Sequence, residues 1–150
     1  MNKYDEAIGA FAGQFGQDTF LTLVTTNEGR VYTRIVNSFY QDGAFYTVTS
    51  AVSNKMKQIG ANGHVAILCG QPFVNYMSAH GVGESLGHVL AAANAAIMET
   101  LRKTFDKWYT HGDVNENDPN TCLLRIRLTD AYYMVGVEGY KINFIERTAS

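Results

Sequence analysis

Two β-rich runs joined by an Asp-Gly pair constrain the fold of this chain more than any other feature. The first run extends from Val31 to Tyr40, the turn Gln41-Asp42-Gly43 follows it, and the second run begins at Phe45. Because glycine adopts the positive φ that a tight hairpin turn requires, an Asp-Gly pair between such runs is a strong hairpin signal. The sequence therefore predicts two adjacent antiparallel strands, with Arg34 on the first of them.

A short helix is predicted after the second strand. Ser53 is a suitable N-cap for a helix over residues 54–59, and Gly60 is a suitable stop. The free N–H groups and partial positive charge of a helix start attract anions, and Lys55 adds a cation in the first turn. Together with Arg34, these groups predict a cradle for a phosphorylated cofactor. The alternative interpretation is that Arg34 and Lys55 are ordinary solvated surface charges.

An ordered set of short motifs extends from Phe20 to Gly70. Its members are Thr25, Gly29, Arg34 and Val36, then Phe45-Tyr46-Thr47, then Ser53-Asn54-Lys55 with Gln58 and Ile59, then Val65 to Leu68. In this order and spacing, the run resembles the amino-terminal half of the pyridoxamine 5'-phosphate oxidase-like family, the FMN-binding split barrels.

The resemblance implies a mainly β fold with flanking helices, namely an antiparallel split barrel of six to eight strands in one domain over residues 1–150. It also implies a homodimer that holds FMN between its subunits and acts on a small-molecule substrate. The cofactor-binding residues that it implies are Arg34, Ile35, Val36, Tyr46, Thr47, Thr49, Ser53, Asn54 and Lys55. The phosphate would lie against Arg34 and Lys55, and backbone groups around Ile35 and Val36 would face the flavin ring. No catalytic acid or base is predicted, because the cofactor itself carries the redox chemistry.

Two departures separate the chain from the vitamin B6 oxidase that gives the family its name. In that enzyme the arginine strand carries a lysine a few residues later, whereas here the strand continues from Arg34 to Phe39 without one. That enzyme also carries an Arg-x-His segment near its carboxyl terminus, and the ending YKINFIERTAS has no such segment. The chain is therefore more similar to the short general-stress and nitroimidazole-reductase-like members of the family.

Two classes of function follow from this resemblance. The first is an FMN-dependent oxidoreductase that passes electrons from a reduced donor to a small molecule. The second is a non-catalytic protein of the same fold that holds flavin, haem or a deazaflavin. Haem would require a histidine ligand, for which His80 and His88 are the candidates. The glycines between these two histidines argue against a single helix that would align them as a metal site.

Composition narrows the range of partners. Hydrophobic residues make up 46% of the 150 residues and charged ones 17%, which is typical of one folded domain with a buried core. The net charge is −2, so we do not expect a nucleic-acid partner held by a basic face. The amino terminus has no signal-peptide pattern and no run approaches a membrane span, so we expect a cytoplasmic protein. Cys69 and Cys122 are interpreted as isolated buried thiols.

The remaining elements are predicted from periodicity and from breaks in it. A helix from Tyr4 to Phe15 is expected over one mouth of the barrel. Gly81 to Gly87 departs from the dinucleotide fingerprint by one position, so we interpret it as a flexible entry to one long helix after the fifth strand, Leu86 to Tyr109. Thr110 to Asn120 is predicted to be a surface loop. The other predicted strands are 20–26, 64–69, 73–79, 122–128, 131–137 and 142–145, with a turn at Thr129-Asp130.

Overall fold

Eight strands and a few short helices form the chain in the computed structural model, which describes residues 1–150 except for the side chain of Asp113. In chain order the elements are α1 (Lys3–Phe15), β1 (Thr19–Asn27), β2 (Arg30–Gln41), β3 (Ala44–Ser50), α2 (Asn54–Ala61), β4 (His64–Gln71), β5 (Asn75–His88), a 3-10 turn (Ala92–Asn94), α3 (Ala95–Thr104), a wide turn (Tyr109–Asp113), β6 (Thr121–Val135), β7 (Glu138–Asn143) and β8 (Thr148–Ala149).

The β1–β2 and β2–β3 hairpins each turn through two residues with positive φ. Glu28 and Gly29 have φ values of 51° and 79°, and Asp42 and Gly43 have values of 48° and 88°. Two successive left-handed residues match the twist of the flanking strands, and Asp-Gly pairs favour this turn strongly. The hairpin predicted at Asp42-Gly43 is therefore confirmed.

The strands form a closed antiparallel barrel. Their order is β3-β2-β1-β4-β5-β6, and the ring closes because β3 also pairs with β6, from Ala44↔Arg127 to Ser50↔Thr121. β7 and β8 extend the sheet beyond β6. The predicted mainly β split barrel with flanking helices is confirmed.

The predicted turn at Thr129-Asp130 is wrong, because β6 is one continuous strand of 15 residues. His80 pairs with Asp130 while Gly81 pairs with Leu128, so Thr129 is an extra residue in a β-bulge. Its hydroxyl donates a hydrogen bond to the carbonyl of His80 over 3.1 Å. A β-bulge and a turn favour the same residue types, so a Thr-Asp pair does not distinguish them, and this explains the error.

The interpretation of Gly81 to Gly87 as a flexible helix entry is also wrong, because β5 extends through His88. The glycines are required for close packing: a Cβ on Gly81 would lie 2.7 Å from the carbonyl oxygen of Arg127, and one on Gly83 would lie 3.1 Å from Ile59. A helix does follow the fifth strand, but α3 has 10 residues and does not fill the predicted range from Leu86 to Tyr109.

Other element boundaries also differ from the prediction. α2 continues past Gly60 to Ala61, and the backbone N–H of Asn62 closes its last turn. β7 ends at Asn143, so Ile145 lies outside it, and the short β8 was not predicted. The predicted loop 110–120 begins within the wide turn and continues as irregular turns up to β6.

The core consists of two clusters on opposite faces of the barrel wall. Inside the barrel, α1 inserts Phe11 and Phe15 at one end, and α2 inserts Met56 and Ile59 at the other. Outside, α3 and the segment after it cover the β2–β3–β6 wall, with members Phe39, Val89, Met98, Leu101, Phe105, Tyr109 and Leu123. Helix α1 therefore lies over one barrel mouth, as predicted. None of the described helices has the length and apolar character needed to cross a membrane.

Candidate cofactor site at the seam between strands β2 and β3

The two strands of the predicted cofactor hairpin separate soon after their turn. β2 and β3 pair only from Gln41↔Ala44 to Phe39↔Tyr46. Beyond Phe39, β2 stays paired with β1 and β3 stays paired with β6, each on its far edge. The facing edges, residues 34–38 and 47–50, therefore carry backbone N–H and C=O groups without a strand partner. We call this opening the seam.

A small cavity of about 130 Å³ opens at the seam. Its lining residues are Val36, Asn37, Thr47, Val48, Thr49, Lys55 and Trp108. The indole N–H of Trp108 donates to one carboxylate oxygen of Asp18 over 2.7 Å, and the other oxygen accepts from Asn37 Nδ2 over 2.8 Å. Asp18 thus links Trp108 to β2 and holds the ring against the opening.

Lys55 reaches the seam from the first turn of α2. Ser53 caps this helix, as predicted, because its Oγ accepts a hydrogen bond from the backbone N–H of Met56 over 3.4 Å. Lys55 Nζ donates to Thr49 Oγ1 over 2.7 Å. Burial first, and the charge of Arg34 second, lower the pKa of Lys55 below its ordinary value of 10.5. The second cause indicates that the two cations are close enough to repel each other.

Arg34 extends from β2 along the inner side of the barrel wall. Its Nη1 donates to the carbonyl of Leu23 over 3.2 Å and to Thr25 Oγ1 over 2.9 Å, while its Nη2 donates to Gln58 Oε1 over 2.5 Å. Burial lowers its pKa. No carboxylate oxygen of the described side chains lies within 4.0 Å of Arg34 or Lys55. The two positive charges therefore have no carboxylate in ion-pair contact among the described side chains.

Six of the nine residues implied by the family resemblance meet at or beside the seam. They are Arg34, Val36, Thr47, Thr49, Ser53 and Lys55. The side chains of the other three lie elsewhere. Ile35 is 70% exposed on the outer face of β2, Tyr46 stacks on Phe39 in the outer cluster with ring centroids 5.7 Å apart, and Asn54 is exposed.

Sequence reasoning missed four residues of this site: Thr25, Gln58, Trp108 and Asp18. Gln58 had a usable signal, because it follows Lys55 by three positions and side chains three apart share one face of a helix. Thr25 also had a usable signal, because it is one of the ordered motifs between Phe20 and Gly70. Trp108 had no usable signal, because it was assigned to a predicted helix from Leu86 to Tyr109, whereas α3 ends at Thr104.

The histidines differ in their availability as ligands. His88 Nε2 bonds to the carbonyl of Asp118 over 2.8 Å and its Nδ1 accepts from the N–H of Leu90 over 3.0 Å, so both ring nitrogens are engaged. His80 Nδ1 bonds to Asp130 over 2.9 Å, which leaves Nε2 open. Among the described residues, no group of three His, Cys, Asp or Glu side chains could hold a metal ion.

A larger cavity, about 750 Å³, lies at the other end of the barrel. Its charged lining residues are Asp5, Asp42 and Arg147, so carboxylates outnumber the one cation. This mixture does not favour a doubly charged anion, whereas the charged residue that lines the seam cavity is the cation Lys55. We therefore place the candidate site at the seam, despite its smaller volume.

Several solved structures share the fold of this chain. General Stress Protein 26 from Bacillus anthracis aligns with a TM-score of 0.64 and 19% identity, covering 90% of this chain and 98% of that one. A FAD-binding protein from Mesorhizobium loti aligns at 0.63 and 15%, covering 81% and 90%. A heme-binding protein from Mycobacterium smegmatis aligns at 0.67 and 14%, covering 97% of this chain but 58% of that one. At these identities the likeness concerns the fold.

The sequence itself matches a family model. No curated protein matches the chain closely. Residues 16–149, however, match the model described as "Pyridoxamine 5'-phosphate oxidase like", which covers every strand and the whole seam. The chain therefore belongs to the pyridoxamine 5'-phosphate oxidase-like family.

Proposed function

We propose that this protein is a flavoprotein that binds FMN at the seam, with the cofactor phosphate between Arg34 and Lys55. The observation that carries the proposal is the pair of half-buried cations, for which the described side chains provide no carboxylate partner. A phosphate monoester has a charge of about −1.5 to −2 at pH 7, which would neutralise both cations. Membership of the family supports the proposal, and so does the fold it shares with a FAD-binding protein.

The surrounding groups fit the rest of such a ligand. Thr49 Oγ1 and Ser53 Oγ lie 3.4 Å apart beside the Lys55 ammonium, so they are placed to bond to phosphate oxygens. The unpartnered backbone groups of residues 34–38 would meet the polar edge of the flavin ring. When bound, the flavin supplies electron transfer between a reduced donor and a small acceptor, and the protein fixes its position.

A homodimer is part of this proposal. The seam cavity of about 130 Å³ is well below the roughly 300–1,000 Å³ of most ligand sites, so a second wall is needed. The outer face of β1, β2 and β4 next to it exposes Phe20 (69%), Ile35 (70%) and Leu68 (42%). Ile35 and Leu68 flank Thr22 in one cross-strand row, which makes the face continuous. We propose that a second copy covers this face and completes the site.

The test compares flavin binding by matched variants. Arg34→Ala with Lys55→Ala should weaken FMN binding by at least about 100-fold, because each lost charged hydrogen bond costs about 1.5–3 kcal/mol. The control is Arg30→Ala with Lys57→Ala, which removes exposed cations from the same strand and the same helix. Riboflavin affinity should stay unchanged in all variants. Undiminished FMN affinity in the seam variant, or equal affinities of the wild type for FMN and riboflavin, would refute the phosphate assignment.

The oxidoreductase part of the proposal has its own test. The FMN-loaded protein should lose its visible flavin absorbance under anaerobic conditions when NADH or NADPH is added, and regain it when an acceptor is supplied. A flavin that stays oxidised with both donors would favour a non-catalytic carrier.

Haem binding is the second candidate function, and the open Nε2 of His80 is the observation that favours it. A histidine whose other nitrogen bonds to a carboxylate is a common metal ligand, and Asp130 provides that carboxylate. If haem binds, His80→Ala should abolish the Soret band and His88→Ala should retain it. A Soret band that survives His80→Ala would contradict this ligand assignment.

A further inference from the structure

Two buried side chains, Thr25 and Gln58, form a triangle with Arg34 and hold it in one orientation. Gln58 Oε1 accepts from Thr25 Oγ1 over 2.6 Å and from Arg34 Nη2 over 2.5 Å, while Arg34 Nη1 donates to Thr25 Oγ1 over 2.9 Å. Thr25 is fully buried and Gln58 is only 8% exposed. Both partners of Oε1 are donors and a guanidinium has no acceptor, so the amide of Gln58 presents its carbonyl to them.

The triangle determines which N–H groups of Arg34 remain for a ligand. Because Thr25 Oγ1 and Gln58 Oε1 bond to each other, they must share the guanidinium edge between Nη1 and Nη2. The carbonyl of Leu23 takes the other Nη1 hydrogen. Three of the five guanidinium N–H groups are thus engaged. The remaining two, Nε–H and one Nη2–H, lie parallel on a single edge, which is the fork that binds two phosphate oxygens at once.

We propose that Gln58 is a positioning residue that turns this fork of Arg34 towards the cofactor phosphate and thereby sets the preference for a phosphorylated ligand. The inference rests on the proposed function, because it concerns the phosphate of the same cofactor. Gln58 and Lys55 lie on one face of α2, so the helix that supplies the second cation also orients the first.

Electrostatics explains why such an anchor is needed. Arg34 and Lys55 repel each other, as the lowered pKa of Lys55 indicates after the effect of burial. Arginine has a long side chain with several rotamers, and repulsion would favour those that move the guanidinium away from the seam. Gln58 Oε1 and Thr25 Oγ1 oppose this displacement with two hydrogen bonds to a charged group.

The experiment removes the anchor and keeps the cation. Gln58→Met preserves side-chain length and helix propensity but has no strong acceptor, and we expect it to raise the FMN dissociation constant by about 10-fold while riboflavin binding stays unchanged. The matched control is Asn62→Ala, which removes the Asn62–Thr26 bond (2.9 Å) at the end of the same helix. A loss of FMN and riboflavin binding in equal measure would overturn the inference, because a merely structural role predicts that result.

Two further readouts keep the positioning role separate from the FMN proposal. In an Arg34→Ala background, Gln58→Met should have no additional effect on FMN affinity, whereas additive losses would show that Gln58 acts independently. In the ligand-free protein, NMR of the Arg34 side chain should show resolved Nη hydrogens for the wild type and averaged ones for Gln58→Met. Identical spectra would overturn the inference. A wild type that fails to bind FMN but passes the NMR test would refute the proposed function and leave the orientation intact.

Discussion

Arg34 on β2 and Lys55 on α2 act on each other through space: after burial, the charge of Arg34 is the main cause that lowers the pKa of Lys55. Within the described part of the chain, the partners of their hydrogen bonds are neutral, namely a carbonyl, hydroxyls and an amide oxygen. Two uncompensated charges at one opening disfavour the ligand-free fold and favour the binding of an anion.

The titration of Lys55 should give FMN binding and folding stability opposite pH dependences. The folded pKa of Lys55 is lowered, so between that value and 10.5 the unfolded chain holds more protons than the folded one. The stability of the ligand-free protein should therefore rise with pH in this window, while FMN affinity falls as the ammonium is lost. Denaturant titrations and FMN titrations at a series of alkaline pH values measure both trends. Lys55→Arg, which stays protonated, should flatten them, and unchanged slopes in that variant would contradict the assignment.

Removal of one cation should stabilise the ligand-free protein. We expect Lys55→Met to raise the free energy of unfolding by about 0.5–2 kcal/mol, as is common when a functional residue under strain is replaced. Lys57→Met is the control, because Lys57 is exposed on the same helix. Urea denaturation of ligand-free samples measures the difference. If the Lys55→Met protein is less stable than the Lys57→Met protein, the positive charge of Lys55 is already compensated in the ligand-free protein, which would contradict this prediction.

The exposed face next to the seam should control both assembly and cofactor retention. Phe20→Lys with Leu68→Lys places two charges on the outer face of β1 and β4, so we expect a monomer that retains no FMN. Val137→Lys is the control, since Val137 is an exposed apolar residue (92%) in the turn before β7. Light scattering coupled to size exclusion gives the mass, and the visible spectrum gives the FMN content. A wild-type monomer that binds FMN would contradict the dimer proposal.

Glu116 should stabilise the fold in a pH-dependent manner. Arg102 donates to both of its carboxylate oxygens over 2.9 and 3.0 Å, and the Tyr109 hydroxyl donates over 2.6 Å. The hydrogen bond from Arg102 is the main cause that lowers the pKa of Glu116. Its contribution is therefore complete above pH 4.5, the ordinary value, and is lost as the pH falls through the lowered pKa.

Substitution tests this contribution directly. Glu116→Gln should cost about 1–3 kcal/mol at neutral pH and should reduce the loss of stability in acid. Glu99→Gln, which breaks the exposed Glu99–Lys103 pair, should cost at most about 0.5 kcal/mol. Thermal or urea denaturation from pH 3 to pH 7 provides the comparison. Equal costs for the two variants would indicate that the Arg102–Glu116 pair is screened in solution.

Sequence reasoning succeeded where local chemistry decides the structure. The Asp42-Gly43 turn and the Ser53 cap depend on residues within four positions of each other, so short-range patterns predicted them. Arg34 and Lys55 were placed at one site because the elements that carry them, β2 and α2, lie on either side of that turn and are separated in sequence only by β3.

Long-range packing decides the features that were missed. Gly81 and Gly83 lie in a strand where the backbone of β6 and the side chain of Ile59 approach them closely, and sequence alone shows neither neighbour. The Thr129 bulge depends on the register between β5 and β6. Thr25 and Gln58 had sequence signals, but their shared contact with Arg34 depends on how α2 packs against the β1–β2 hairpin, which sequence alone does not show.

The short stretch over which β2 pairs with β3 affects the rate of amide hydrogen exchange. Amide hydrogens on the facing edges of residues 34–38 and 47–50 lack the ladder that protects the rest of the barrel wall, so they should exchange with solvent deuterium while the opposite edges of the same strands stay protected. A planar ligand bound between these edges would occupy the position of a missing strand. Its binding should therefore slow hydrogen exchange at those few amides and not elsewhere in the barrel wall.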